Sequence, residues 1–227
     1  MTTIEGASVL VAGASGGLGS AIAGELHQRG ARLTLVGRRA DALDALPVLG
    51  TRVAADLRIP GAAQTAISRA IAEHGPLDVV VNAVGVVAFG PVDALSVDAM
   101  EELFLTNVFA TIMLAQAAAG VLEAGGTIVN LSGVIAEQNL PGMAAYGASK
   151  AAVRSFDEAL ARELRRRSVR VIDARPPHTE TGLANRAVEG TAPKMPVGAD
   201  PALIARVIVD AIAGDVVDLP AAAFAPS

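Results

Sequence analysis

The 227 residues include no cysteine and no tryptophan, and the single tyrosine is Tyr146. Without thiols there can be no disulfides, no thiolate nucleophile and no Cys-ligated metal, and the redox compartment stays open. Aromatic residues make up only 3%, so a core has to be packed from Ala, Val, Leu and Ile; hydrophobic residues reach 52%, ample for one. Basic charge is scarce, with 18 Lys+Arg against 23 Asp+Glu and a net charge of −5. That balance argues against an electrostatic grip on nucleic acid. The three histidines, His27, His74 and His178, share no spacing with acids that would suit a metal, so none is expected. His27 and His74 fall near predicted helix ends and Arg165–Arg167 closes another, as suits the helix dipole. The longest apolar stretch, residues 111–122, contains Gln116 and is too short to span a bilayer. Residues 1–6 carry an acid and no base, unlike a secretory signal. The expectation is a soluble, cytoplasmic protein with no membrane or nucleic-acid partner.

What is present is regular. Residues 8–12 form a short apolar run closed by Gly13, as expected of a fully buried strand. A helical pattern follows over 21–29 and stops at Gly30. Strands are predicted at 32–36, 52–55, 77–81, 127–131, 169–173 and 216–219. Helices are predicted at 41–46, 60–74, 144–167 and 201–213, with one long helix or a broken pair over 96–122. Residues 183–197, with Gly190, Pro193 and Pro196, lack a period and read as a mobile flap. Strand and helix alternate without linker or repeat. That predicts one α/β domain over 1–227, doubly wound around a mainly parallel seven-stranded sheet with helices on both faces. In such sheets ligands bind beyond the carboxyl ends of the strands. The polar residues at those ends are Arg38, Asp56, Asn82 and Ser132, which share one edge.

Gly13, Gly17 and Gly19 lie between the first strand and first helix, spaced G-x-x-x-G-x-G. Missing Cβ atoms permit a tight turn and close approach of a pyrophosphate, to which the helix start offers free N–H groups. At the end of the second strand an acid would bond the ribose 2′-hydroxyl of NAD. The chain has Gly37-Arg38-Arg39 there and no acid before Asp41, so the guanidinium forks favour the 2′-phosphate of NADP. Asp56 is placed to meet an adenine ring, and Asn82-Ala83-Val84-Gly85 to line the nicotinamide side. Tyr146 and Lys150, four apart on a helix, share a face. An ammonium there would stabilise the phenolate and pull the phenol below its usual value of ~10.

Taken with Asn107 and Ser132, these motifs closely resemble the short-chain dehydrogenase/reductase family, in its single-domain branch; the stretch Ala145-Tyr146-Gly147-Ala148-Ser149-Lys150 is the most specific. The resemblance runs from Ser8 to about Leu219 and implies a Rossmann-type fold. It implies Tyr146 as acid/base and Ser132 as the hydroxyl that, with Tyr146, holds the substrate oxygen. It further implies that Lys150 lowers the tyrosine pKa and bonds the nicotinamide ribose, and that Asn107 steadies Lys150 through a water. Cofactor contacts are implied at Gly13, Ser15, Gly16, Gly17, Leu18, Gly19, Arg38, Arg39, Asp56, Leu57, Asn82, Ala83, Gly85, Tyr146, Lys150, Pro176, Thr179 and Thr181. The substrate wall is expected at Ser132, Val134, Ile135, Gln138, Met143 and Tyr146, with the 183–197 flap; it is largely apolar.

The chain departs from the family pattern at four places. Ala12 stands where a Thr is usual, Gly16 where NADP-preferring members often carry a base, and Ala83 replaces the second Asn of Asn-Asn-Ala-Gly. Pro177 replaces the glycine after Pro176, which removes an N–H and fixes φ, while Thr181 keeps the threonine spacing. The expected activity is NADP(H)-dependent hydride transfer between the cofactor and a ketone or secondary alcohol of apolar or acyl type. The competing expectation is a non-catalytic, NADP-binding regulatory or scaffold protein on the same fold. The helices over 96–122 and 144–167 carry more apolar surface than one sheet face covers, so a homodimer or homotetramer is expected.

Overall fold

A computed structural model describes residues 2–225. Seven strands form one parallel sheet: β1 (Ser8–Ala12), β2 (Arg32–Gly37), β3 (Thr51–Ala54), β4 (Val79–Asn82), β5 (Thr127–Leu131), β6 (Arg170–Ala174) and β7 (Asp218–Leu219). Their order is β3-β2-β1-β4-β5-β6-β7, with every pairing parallel. After β1 the chain adds strands on one side, and from β4 it adds them on the other. The switch point therefore lies between β1 and β4, where a crevice opens beyond their carboxyl ends.

The central strands are buried on both faces, and their side chains divide by the period of two. Val9 and Val11 of β1 point into a layer with Ile22 and Leu26 of helix α1 (Gly17–Gln28). The same layer takes Leu43 of the short helix α2 (Ala40–Asp44), and Ile204, Ile208 and Ile212 come from the helix over Pro201–Ala213. Leu10 and Ala12 point the other way, to Ile67 of α3 (Ala62–His74), Leu114 and Ala118. Leu160 and Leu164 of the helix over Ala144–Leu164 complete that second layer.

The stretch predicted as one helix or two is one helix with a change of pitch. Helix α4 (Val97–Phe104) passes through a π segment (Leu105–Phe109) into α5 (Ala110–Ala119). In that segment the Ala110 N–H reaches back to Leu105 O, one wide turn, and the Thr111 hydroxyl at the start of α5 donates to the Asn107 carbonyl at 2.7 Å. Spanning 23 residues, Val97–Ala119 is long and apolar enough to cross a membrane by length and composition, which the 111–122 reading underestimated; half of it is buried against the rest of the fold. The remaining helices are α6 (Ala144–Leu164) and α7 (Pro201–Ala213), the latter capped by the Asp200 carboxylate, which accepts from the Ala202 N–H.

Element ends differ from expectation where turn chemistry decides them. α1 begins at Gly17, because the glycine loop itself winds into the first turn. α3 begins at Ala62, after Gly61 at φ +85°, so Pro60 lies outside it. β3 stops at Ala54, leaving Asp56 in the turn beyond the strand. β7 is only two residues long, so Val216 precedes it. In the 183–197 stretch, a 3₁₀ turn (Ala184–Arg186) is followed by a segment tied back to the domain. The Val188 N–H donates to Val87 O at 2.8 Å, and the Phe89 N–H donates to Glu189 O at 2.9 Å. Glu189 in turn receives the Ser96 N–H at 2.9 Å and the Ser96 hydroxyl.

Candidate active site

Beyond the carboxyl ends of β1, β4 and β5 lies a cavity of about 1150 Å³, large enough for a dinucleotide and a second small ligand. It is bordered by the glycine loop at one end and by Ser132, Tyr146 and Lys150 at the other.

The glycine loop has the shape that a phosphate cradle requires. Gly13 sits at φ +74°, and a Cβ there would lie 2.7 Å from Ala83 O. A Cβ on Gly19 would lie 2.1 Å from Gly13 O, so the third glycine lets the helix start fold under the loop rather than facing the cavity. Gly16 N–H donates to Gly13 O at 2.9 Å and Ser20 N–H to Gly16 O at 2.8 Å, and these bonds wind the loop into the first turn of α1. That leaves a helix N-terminus aimed at an anion. Gly17 packs against Thr181, to which its Cβ would come within 2.5 Å, so the glycine loop meets the loop that follows β6. The residues present therefore fit a dinucleotide phosphate.

Arg38 and Arg39 are exposed and border the adenosine end, as do Asp56 and Leu57. A residue that the sequence reading missed joins them. Arg58 Nη2 bonds Asp56 Oδ2 at 2.6 Å, and Nη1 reaches Glu102 at 2.5 Å. This guanidinium holds the Asp56 carboxyl below its usual range. Asp56 thus already has a cationic partner two residues on, and Arg38 lies 3.9 Å from Glu102. The Asp-Leu-Arg run at a strand end was the available signal.

At the other end, Asn82 is buried and does not border the cavity. Its Nδ2 donates to Thr111 Oγ1 at 2.8 Å and to Asn130 Oδ1 at 3.3 Å, and its Oδ1 accepts the Val84 N–H at 3.1 Å. It shapes the Ala83–Gly85 turn, whose residues do line the cavity. Asn107 is likewise fully buried. Its Oδ1 accepts the Val86 N–H at 2.8 Å, and its Nδ2 donates to Val86 O at 3.0 Å and to Ser149 Oγ at 2.9 Å. Asn107 and Lys150 make no direct bond, but both lie against Gly85, where a Cβ would stand 3.4 Å from Asn107 Oδ1 and from Lys150 Nζ. Val134, Ile135 and Met143 wall the cavity with Leu140 and Phe89, whereas Gln138 is exposed and stays outside it. Pro176, Pro177, His178, Thr179 and Thr181 border the same space. Pro176 O accepts the Val134 N–H at 3.0 Å, and Pro177 O accepts the Thr179 hydroxyl at 2.8 Å. Pro177 therefore keeps this loop bonded through carbonyls, without the N–H that a glycine would offer.

Tyr146 packs among Val87, Phe89, Ile135 and Met143. Burial pushes its phenol up, to about 12. The sequence led us to expect the opposite. The reason is that Lys150 is itself buried, and its Nζ donates to Leu131 O at 2.7 Å. Burial brings the amine down to about 8, against the pull of Asp173 and Asp157. Ser132 is completely shielded from bulk solvent, and its hydroxyl donates to Asp173 Oδ1. The sequence reading left Asp173 and Asp157 unused. Asp157 Oδ1 accepts from Asn130 Nδ2 at 2.6 Å, while its Oδ2 has no protein partner. Burial raises this carboxyl to about 8. Asp173 lies in β6 and Arg175 just past its end, where Arg175 Nη1 donates to Asp173 Oδ2; an acid and a base two apart at a buried strand end were the signal for them.

The glycine loop and the Tyr146–Lys150 turn thus lie at opposite ends of one cavity. Comparison with known proteins gives the family. A family model described as short chain dehydrogenase matches residues 7–192, and the chain belongs to the short-chain dehydrogenase/reductase family, whose reactions interconvert CH–OH and C=O groups. It is similar to an uncharacterized oxidoreductase of Methylorubrum extorquens, 31% identical over 87% of this chain and 86% of that protein. It is also similar to D-threitol dehydrogenase of Mycolicibacterium smegmatis, 34% identical over 82% of this chain and 75% of the relative. Among solved structures, a short chain dehydrogenase of Burkholderia cenocepacia in complex with NADP aligns with a TM-score of 0.83 at 27% identity, covering 99% of this chain and 100% of that one.

Proposed function

We propose that this protein is a cytoplasmic, NADP(H)-dependent carbonyl reductase or alcohol dehydrogenase acting on a ketone or secondary alcohol of apolar or acyl type. The observation that carries the reading is Tyr146, neutral and half-buried on the cavity wall, one helical turn from buried Lys150. The nicotinamide, when bound, donates or accepts the hydride. Tyr146 holds a proton that it donates to a carbonyl oxygen in the reducing direction. Lys150, one helical turn along α6, is the cation that would stabilise a phenolate left behind. Gly13, Gly17 and the start of α1 would hold the pyrophosphate, and Thr179 and Thr181 the nicotinamide side. Arg38 and Arg39 favour the 2′-phosphate because nothing acidic occupies the end of β2. Val134, Ile135, Met143 and Phe89 support an apolar ligand. The named activity of the D-threitol relative is consistent with a hydroxyl-bearing substrate. A homodimer or homotetramer through the helices around Phe109 and α6 completes the reading.

Tyr146→Phe tests it. Turnover of a carbonyl panel with NADPH should fall by roughly 10²–10⁴-fold, while NADPH binding, followed by cofactor fluorescence, persists. A wild type that binds NADPH but turns over nothing in a broad carbonyl and alcohol panel would instead support a regulatory role.

A further inference from the structure

At the adenosine end of the cavity two cations and two acids stand together, and their charges cancel. Arg38 follows β2, and Asp56 and Arg58 follow β3, which pairs with β2 so that Gly37 lies beside Ala54. Glu102 comes from α4, one turn before Thr106. Both acids hold Arg58: its Nε and Nη2 donate to Asp56 at 2.9 and 2.6 Å, and its Nη1 donates to Glu102 Oε2 at 2.5 Å. The other oxygen of Glu102 accepts the Thr106 hydroxyl at 3.1 Å and lies 3.9 Å from Arg38 Nη1. Arg38, Asp56, Arg58 and Thr106 border the cavity, whereas Glu102 stands behind them. We propose that Glu102 is a positioning residue that competes with a bound adenosine's 2′-phosphate for Arg38, and so sets the margin by which the site prefers a 2′-phosphate over a 2′-hydroxyl.

The competition has a direction. The guanidinium of Arg58 is fixed by two carboxylates, so it is the less available cation. Arg38 has only the long contact to Glu102, with more than half of its side chain in solvent. An exposed pair at that distance is worth little. A phosphate monoester carries roughly 1.5–2 negative charges at pH 7 and can bind a guanidinium bidentately. A 2′-phosphate therefore draws Arg38 off Glu102, and every such ligand gives up that pair on binding. A 2′-hydroxyl cannot do so and leaves the pair in place. Glu102 thus works against 2′-phosphorylated ligands alone. Its direct field on the ligand is offset by Arg58, so the effect runs through Arg38. An amide in place of the carboxylate still accepts from Arg58 and Thr106, but releases Arg38.

Glu102 can tune a 2′-phosphate only if the cavity takes a nicotinamide dinucleotide, as proposed above. The probes are therefore cofactor fragments that report binding without turnover, 2′,5′-ADP and 5′-AMP, titrated by calorimetry. Glu102→Gln should tighten 2′,5′-ADP about threefold and leave 5′-AMP unchanged. In an Arg38→Ala background the same change should move neither probe, because the carboxylate acts only through that guanidinium. A carboxylate that merely shapes the pocket would move the two probes together. Equal tightening of both, or of neither, in Glu102→Gln overturns the proposal, as does a shift that survives in the double variant. Should Glu102→Gln fold poorly, Glu102→Asp keeps the charge but draws it back from Arg38 by one methylene. It should give a smaller shift of the same sign, and an unchanged or reversed ratio refutes the competition. A wild type that binds neither fragment nor NADPH refutes the cofactor reading instead.

Discussion

The buried ionisable residues set how stability depends on pH. The Asp157 carboxyl is raised from 3.8 to about 8, chiefly by burial. The folded chain therefore keeps a proton that the unfolded chain releases above about pH 4. That stabilisation is complete below the unfolded pKa and is lost as pH rises toward 8. Lys150 is lowered from 10.5 to about 8, so between those values the unfolded chain binds the extra proton and stability climbs with pH. Melting temperature should accordingly fall from pH 5 to 8 and recover above it. Asp157→Asn keeps the acceptor for Asn130 Nδ2 and should remove most of the fall. Scanning calorimetry across that range checks this, and an equally steep fall in the variant would refute it. Arg38 poses a separate question. More than half of its side chain is exposed and its nearest acid is 3.9 Å away, so Arg38→Ala should leave the fold intact. It should cost about tenfold in NADPH affinity and little in NADH affinity. A wild type that prefers NADH, measured by titration with both cofactors, would sink the NADP assignment.

Most of the elements were legible because each is written locally. β1, β5 and α7 occur at the predicted bounds. A β-branched run closed by glycine, or an Asp-Pro start to an amphipathic run, needs no distant partner to be read. The π segment was not legible, since no period in the sequence marks one wide turn. Nor was the partner of Ser132, which depends on the register of β5 against β6 across 41 residues. The 183–197 stretch, expected from its composition to be a mobile flap, is tied to Val87 and Phe89 by backbone bonds that composition does not encode. Two glycines test this element-level picture. Gly190 has φ +76°, and a Cβ on it would lie 1.7 Å from Phe89 O. Gly190→Ala should therefore detach the flap and raise KM for the carbonyl substrate by roughly tenfold, given strain of order 1–3 kcal/mol. Gly24, inside α1, has nothing within 4 Å of where its Cβ would go. Gly24→Ala should stabilise the protein by about 0.5–1 kcal/mol in denaturant unfolding.

At the scale of the whole molecule, one helix serves two purposes. The π turn sends Thr106, Asn107 and Val108 inward, where Asn107 braces the Val86 backbone under the site. Leu105, Phe109 and Ile112, spaced i, i+4, i+7, are left on the outside at 42%, 55% and 36% exposure. Phe104 adjoins them at 36%. A stripe of large apolar side chains on a helix whose other face is already packed calls for a cover, and in a symmetric pair the same stripe covers itself. A substitution there acts twice per two-fold interface. Removing one buried Phe is worth about 1.5–3 kcal/mol, so Phe109→Glu should weaken self-association by roughly 10²–10⁴-fold. Light scattering should give a multiple of the 22.9 kDa chain mass for the wild type and the chain mass itself for Phe109→Glu at micromolar concentration. A wild type that already runs at the chain mass would remove the assembly from the proposal. If the variant becomes monomeric and also loses turnover, then the outer face and the Asn107 brace are coupled through this helix. If it becomes monomeric with turnover intact, the active site is complete within one chain.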